Sequence, residues 1–94
     1  MRIKWLKRAL ENLEVGAAYI AQENPKAAGE CVNHILSAVQ QLVRHPNIGR
    51  AGRVFGTREL VITRYPYIVP YRIKNETIEV LRIFHTSRKW PNQF

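Results

Sequence analysis

Tyr67-Ile68-Val69-Pro70-Tyr71-Arg72-Ile73, then Lys74-Asn75-Glu76, then Thr77-Ile78-Glu79-Val80-Leu81-Arg82-Ile83-Phe84 is the stretch that decides the fold. β-Branched and aromatic residues dominate its two arms, and the polar residues between them suit a tight turn. The stretch reads as a β-hairpin, with Tyr71, Ile73, Ile78, Val80 and Leu81 at the heart of a sheet. Pro70 has no N–H to give to a ladder, so it requires a missing ladder bond, a bulge or an edge position.

Strand signals also precede the hairpin, at Thr57-Arg58-Glu59-Leu60-Val61-Ile62. Before them lies a basic, turn-rich link with Gly49, Gly52 and Gly56 set among arginines, which reads as flexible. Further back, Asn24-Pro25 marks a helix start, because Asn can cap and Pro suits the first helical position. Ala28, Cys31, Ile35, Ala38 and Leu42 share one face, and the helix is predicted to run to Arg44, before Pro46. Leu10, Leu13, Ala17 and Ile20 form the stripe of an earlier helix over Ala9 to Ala21, in which Gly16 suggests close helix packing. Arg2-Ile3-Lys4-Trp5 alternates polar and apolar, as a short strand does. The predicted class is α+β: a helical hairpin packed on a small, mainly antiparallel sheet, in the order β-α-α-β-β-β. One domain spans residues 1–94.

The formal charge is +8, from 15 Lys+Arg against 7 Asp+Glu. Arginine supplies most of the surplus in the second half. That surplus favours an anionic partner, either nucleic acid or an acidic protein, and says nothing about fold. No apolar run is long enough to span a bilayer, and no apolar segment follows the basic start as a secretory signal requires. Cys31 is alone, which excludes an internal disulfide framework and fits a cytoplasmic location.

Several chemistries are excluded. Gly49, Gly52 and Gly56 lack the Lys-Ser/Thr of a phosphate-binding loop. His34, His45 and His85 have no metal-ligand spacing, and the chain contains no Asp. Neither a metal site nor any other cofactor is predicted. RNA cleavage remains open, because the 2′-hydroxyl can serve as nucleophile if a base, an acid and cations surround the phosphate. His85, at the end of the last strand, is the candidate titrating group, with Arg58 and Arg82 as candidate catalytic cations. Arg58 and Glu59 are strand neighbours and point to opposite faces, so they should not pair. Arg64, Arg72, Arg88 and Trp90 are candidate contacts to a target or to nucleic acid.

Gly56-Thr57-Arg58-Glu59-Leu60-Val61, Tyr67 to Ile73, Ile78 to His85 and the closing Arg88-Lys89-Trp90-Pro91 together resemble the RelE/ParE toxin superfamily. The helical pair and His45-Pro46-Asn47-Ile48-Gly49-Arg50 are similar too, so the resemblance covers nearly the whole chain. It implies the toxin of a bacterial type II toxin–antitoxin pair. The implied partner is a cognate antitoxin that wraps the toxin with an acidic, partly disordered segment and reaches operator DNA through a separate domain. RelE-like members cleave mRNA in the ribosomal A site, and in some of them an arginine and a histidine matching Arg58 and His85 contribute. ParE-like members inhibit DNA gyrase. Here Thr86 follows His85, no tyrosine follows Tyr71, and no lysine lies between Lys26 and Lys74. The long helical pair and the Pro-Tyr-Arg strand look more ParE-like. The leading expectation is gyrase inhibition. The alternatives are a ribosome-dependent, metal-independent endoribonuclease and a non-toxic nucleic-acid-binding domain.

Overall fold

The hairpin forms the middle of the sheet. In the computed structural model, which describes residues Met1–Ser87, its arms are β4 (Tyr67–Lys74) and β5 (Thr77–Val80). They are paired antiparallel with Tyr71 opposite Val80 and Ile73 opposite Ile78. The turn is closed by Asn75 and Glu76, both with positive φ (51° and 58°), the mirror-image turn that matches strand twist.

β1 (Arg2–Trp5) lies parallel to β5 on one side, with Ile3 opposite Ile78. β3 (Arg58–Ile62) pairs antiparallel with β4 on the other side, and the two-residue β2 (Arg50–Ala51) continues beyond it. The strand order is β1-β5-β4-β3-β2, and β6 (Phe84–His85) also pairs with β4. The predicted order therefore holds with two changes, the first being that the link, which reads as flexible, contributes the added strand β2. Second, the last strand, expected to run unbroken from Thr77 to Phe84, divides into β5 and β6, and Leu81–Ile83 lies between them outside the ladder.

Pro70 explains where the break falls. Its carbonyl accepts from the Leu81 N–H at 2.9 Å, so its backbone edge faces the β5–β6 side. In an antiparallel strand the N–H and C=O of one residue point the same way. The bond that proline cannot give is thus missing opposite the residues that leave the ladder.

Helix α1 (Lys7–Ala21) and helix α2 (Pro25–Gln40) pack on one face of the sheet. Asn24 caps α2 by accepting from the Ala27 N–H at 3.1 Å, and Pro25 opens the helix. The α-helix ends earlier than predicted, and a 3-10 turn over Gln41–Val43 carries the chain to Arg44. Cys31, Ile35, Val39 and Leu42 pack against Leu60, Ile62, Val69, Tyr71, Ile78 and Val80. Each such aliphatic side chain contributes about 1.5–3 kcal/mol on burial. Of the five residues expected at the centre, Tyr71, Ile78, Val80 and Leu81 are buried; Ile73, near the hairpin turn, is exposed. Leu10 is exposed too, while Ala9 takes the buried place at the start of the α1 stripe. Gly16 serves helix–sheet packing rather than helix–helix packing, since a Cβ there would lie 3.1 Å from the Tyr67 hydroxyl oxygen.

Candidate functional site

Strand alternation sorts the polar groups to two faces. Arg58 lies opposite Tyr71 in the register and turns to the helix side. Its Nη1 donates to the carbonyls of Asn47 (3.2 Å) and Gly49 (2.9 Å). The Tyr71 hydroxyl supports the same link, donating to the Pro46 carbonyl at 2.7 Å and accepting from the Gly49 N–H at 2.9 Å. Burial pushes the Tyr71 phenol above its usual range, against the smaller lowering effects of the Gly49 amide and the Arg58 charge. A Cβ on residue 49 would lie 2.6 Å from the Tyr71 ring, so this position needs glycine.

Glu59 turns to the opposite face, as alternation requires, and does not pair with Arg58. It is almost wholly buried, at 1% exposure. One carboxylate oxygen accepts from Arg50 Nε and Nη2 (3.1 and 3.0 Å), and the other accepts from the Arg53 N–H (2.9 Å). The segment that reads as flexible is therefore held from both faces of β3. On the same outer face Arg72 pairs with Glu79 across the β4–β5 register. The Arg72 hydrogen bond, and then its charge with those of Lys74 and Lys4, hold the Glu79 carboxyl below its usual range against a smaller desolvation effect.

Arg82 sits in the β5–β6 break. Its Nε donates to Asn12 Oδ1 at 2.9 Å, and the Ile83 N–H donates to the same oxygen at 3.1 Å. Its guanidinium lies 4.8 Å from the Phe84 ring centre. Burial, and then the charge of Arg8, lower its pKa, while Glu11 opposes them. Asn12 in α1 thus supplies the acceptor that the missing ladder would have given.

His85 lies at the far end of β6, opposite Tyr67. The two rings meet edge to face at 5.3 Å. Its Nδ1 accepts from the Ser87 N–H at 3.2 Å and contacts the Ser87 hydroxyl at 2.7 Å. A cleft of about 440 Å³ opens here between α1 and the Tyr65–Tyr67 turn, with Tyr19, Tyr65, Tyr67 and His85 among its lining residues. Arg64 is exposed at the same end, 5.7 Å from the centre of the Tyr65 ring.

The structure does not bring the candidate catalytic groups together. Arg58 is paired with Tyr71 and His85 with Tyr67, on opposite flanks of β4. Strand rise and strand spacing put their backbones roughly 16 Å apart. Arg82 is directed at Asn12 and Phe84, and Arg72 at Glu79. Arg88 and Trp90 lie outside the described residues. Among the described residues no group of His, Cys, Asp or Glu could hold a metal ion, and no helix is long and apolar enough to cross a membrane. Asn12 and Glu59, the organising polar residues, were not singled out from sequence. Asn12 flanks the Leu10, Leu13, Ala17, Ile20 stripe without interrupting it, so periodicity gives no signal for it, and nothing in strand periodicity marks Glu59 as buried.

Residues 3–90 match the family described as the ParE toxin of the type II toxin–antitoxin system, parDE. The chain belongs to the ParE toxin family. It is 44% identical over 90 residues to a candidate toxin, Y4kP, of Sinorhizobium fredii, covering 96% of this chain and 93% of that one. It is 31% identical over 87 residues to the toxin RelE2 of Caulobacter vibrioides, covering 93% and 97%. A solved structure of the chromosomal ParDE toxin–antitoxin system from P. aeruginosa matches with TM-score 0.83 and 31% identity, over 93% of this chain and 97% of that one. This ParE-family chain is accordingly a toxin of a ParDE/RelE-type system, a class defined by an antitoxin partner.

Proposed function

We propose that this toxin acts by binding DNA gyrase and that a cognate antitoxin neutralises it. The observation that carries the reading is the use of its arginines. Arg58 braces the Asn47–Gly49 backbone, Arg72 pairs with Glu79 and Arg82 joins the break to α1. A phosphodiester-cleaving site needs cations aimed at the developing phosphorane charge. These three are held by the protein itself. A target bound through its surface requires no such convergence.

The antitoxin reading is supported by the helical hairpin, which exposes Leu10, Val15, Tyr19 and Leu36. An acidic segment that folds on binding could cover these residues while its charge met the basic surface. Operator DNA would then be reached through the antitoxin. The endoribonuclease alternative draws on one feature, the His85 cleft with its three tyrosines.

The test is a paired assay of purified wild type and His85→Ala, against gyrase supercoiling and against mRNA on programmed ribosomes. Equal gyrase inhibition by both proteins, with intact mRNA, is expected. Codon-position cleavage that collapses in His85→Ala would replace this reading with the ribonuclease.

A further inference from the structure

The link between β2 and β3 ends in an aromatic side chain that touches nothing. Phe55 is fully exposed, at 103%. It occupies the second position of a turn in which the Thr57 N–H donates to the Val54 carbonyl at 3.1 Å and Gly56 has φ +81°. Those are the marks of a type II turn, whose third position favours glycine. The Thr57 hydroxyl also donates to the Val54 carbonyl at 2.6 Å, and the Gly52 N–H donates to the Thr57 carbonyl at 2.8 Å. A Cβ on residue 52 would overlap the Thr57 hydroxyl at 2.1 Å. Buried Glu59 ties the base of the loop through Arg50 and Arg53. The backbone of the tip is therefore held by hydrogen bonds, and it presents a large apolar group to water without using it for folding.

Beside the tip runs a groove of about 480 Å³. Its floor includes Leu6, Val54 and Leu81, and its rim includes Lys7 and Arg8. Among the described residues neither Lys7 nor Arg8 takes part in an ion pair. The surface thus combines an exposed aromatic side chain on an ordered backbone, an apolar floor and two cations outside any ion pair among the described residues. Interface energy concentrates in such aromatic groups, and prior ordering of the backbone beneath them lowers the entropic cost of docking.

We propose that Phe55 and this groove dock an acidic segment of the toxin's protein target, with Phe55 inserted into an apolar pocket of that partner. The inference rests on the reading that the chain acts by binding a protein. Charge complementarity sets the acidic character of the segment. The apolar floor favours a polypeptide over a phosphate backbone, which would meet only the rim.

The experiment compares wild type, Phe55→Ala and the double variant Lys7→Glu/Arg8→Glu. Growth arrest on expression, gyrase inhibition, antitoxin binding and binding of a single-stranded oligonucleotide are measured for each. Phe55 is fully exposed, so Phe55→Ala should keep the thermal midpoint. Acidic residues in the first turn of α1 suit the helix dipole, which should keep the double variant folded. Expected for Phe55→Ala is a loss of about tenfold or more in arrest and gyrase inhibition, with antitoxin affinity within about twofold. The double variant should weaken target binding most at low salt. Unchanged arrest by Phe55→Ala overturns the proposal, as does a loss confined to oligonucleotide binding. Wild-type arrest without gyrase inhibition would remove gyrase as the target, and the Phe55→Ala arrest result would still decide the docking site. A wild type that arrests nothing would overturn both.

Discussion

The link before β3 and the break after β5 exchange the characters that their compositions suggest. The link has three glycines among arginines, yet both of its ends are fixed by buried or half-buried hydrogen bonds from Tyr71, Arg58 and Glu59. The break lies in an apolar, β-branched run, yet its backbone leaves the ladder and is held by a helix asparagine. Gly49 and Gly52 mark where side chains come close to backbone, Gly56 marks a positive φ, and proline marks where a ladder must open. Local composition says how a segment could move; the partners brought by the rest of the chain decide whether it does.

Substitutions can break that contrast. Tyr71→Phe removes the hydroxyl that joins Pro46 and Gly49 and leaves a buried N–H without its acceptor. It should cost about 2–3 kcal/mol, seen as a lower urea midpoint at unchanged slope. Gly49→Ala presses a methyl against the same ring and should cost about 1–3 kcal/mol. A neutral result for either would mean that the link is held less firmly than its contacts imply. Asn12→Ala tests the other side. It frees the Arg82 side chain and the Ile83 N–H and should cost about 1–2 kcal/mol, with faster amide exchange at Ile83. Unchanged exchange there would show that the break is stable without α1.

The smallest effect concerns the regular part of the hairpin. The Glu79 pKa is lowered in the fold, so its contribution is present above the unfolded carboxylate pKa and is lost as pH falls through the lower folded value. Because Arg72 is substantially exposed, the pair should be worth less than about 1 kcal/mol. Glu79→Gln should make the acid limb of the stability curve slightly shallower. An unaltered limb would assign the acid sensitivity to other carboxylates.

Legibility from sequence followed periodicity and chain punctuation. The β-branched arms around Lys74-Asn75-Glu76, the Asn24-Pro25 start and the alternating Arg2–Trp5 all express local rules, and each element formed where those rules put it. The β5–β6 division did not, because it depends on Pro70 across the ladder and Asn12 some seventy residues away. Burial of Glu59 was hidden for the same reason: its partners come from a link whose path strand alternation does not determine. For the site, alternation separated Arg58 from Glu59 correctly. It gave no view of what each arginine would touch, since a long side chain reaches main-chain carbonyls that no sequence spacing encodes.

The parallel pairing of β1 with β5 also sets a timetable. Residues 2–5 are made well before their partners, residues 77–80. At about 5–20 residues per second the first strand waits several seconds for its neighbour. Until then β1 has no strand to pair with and the toxin surface is incomplete. Synthesis itself therefore delays the finished molecule, and a partner already present in the cell can meet the chain as it closes.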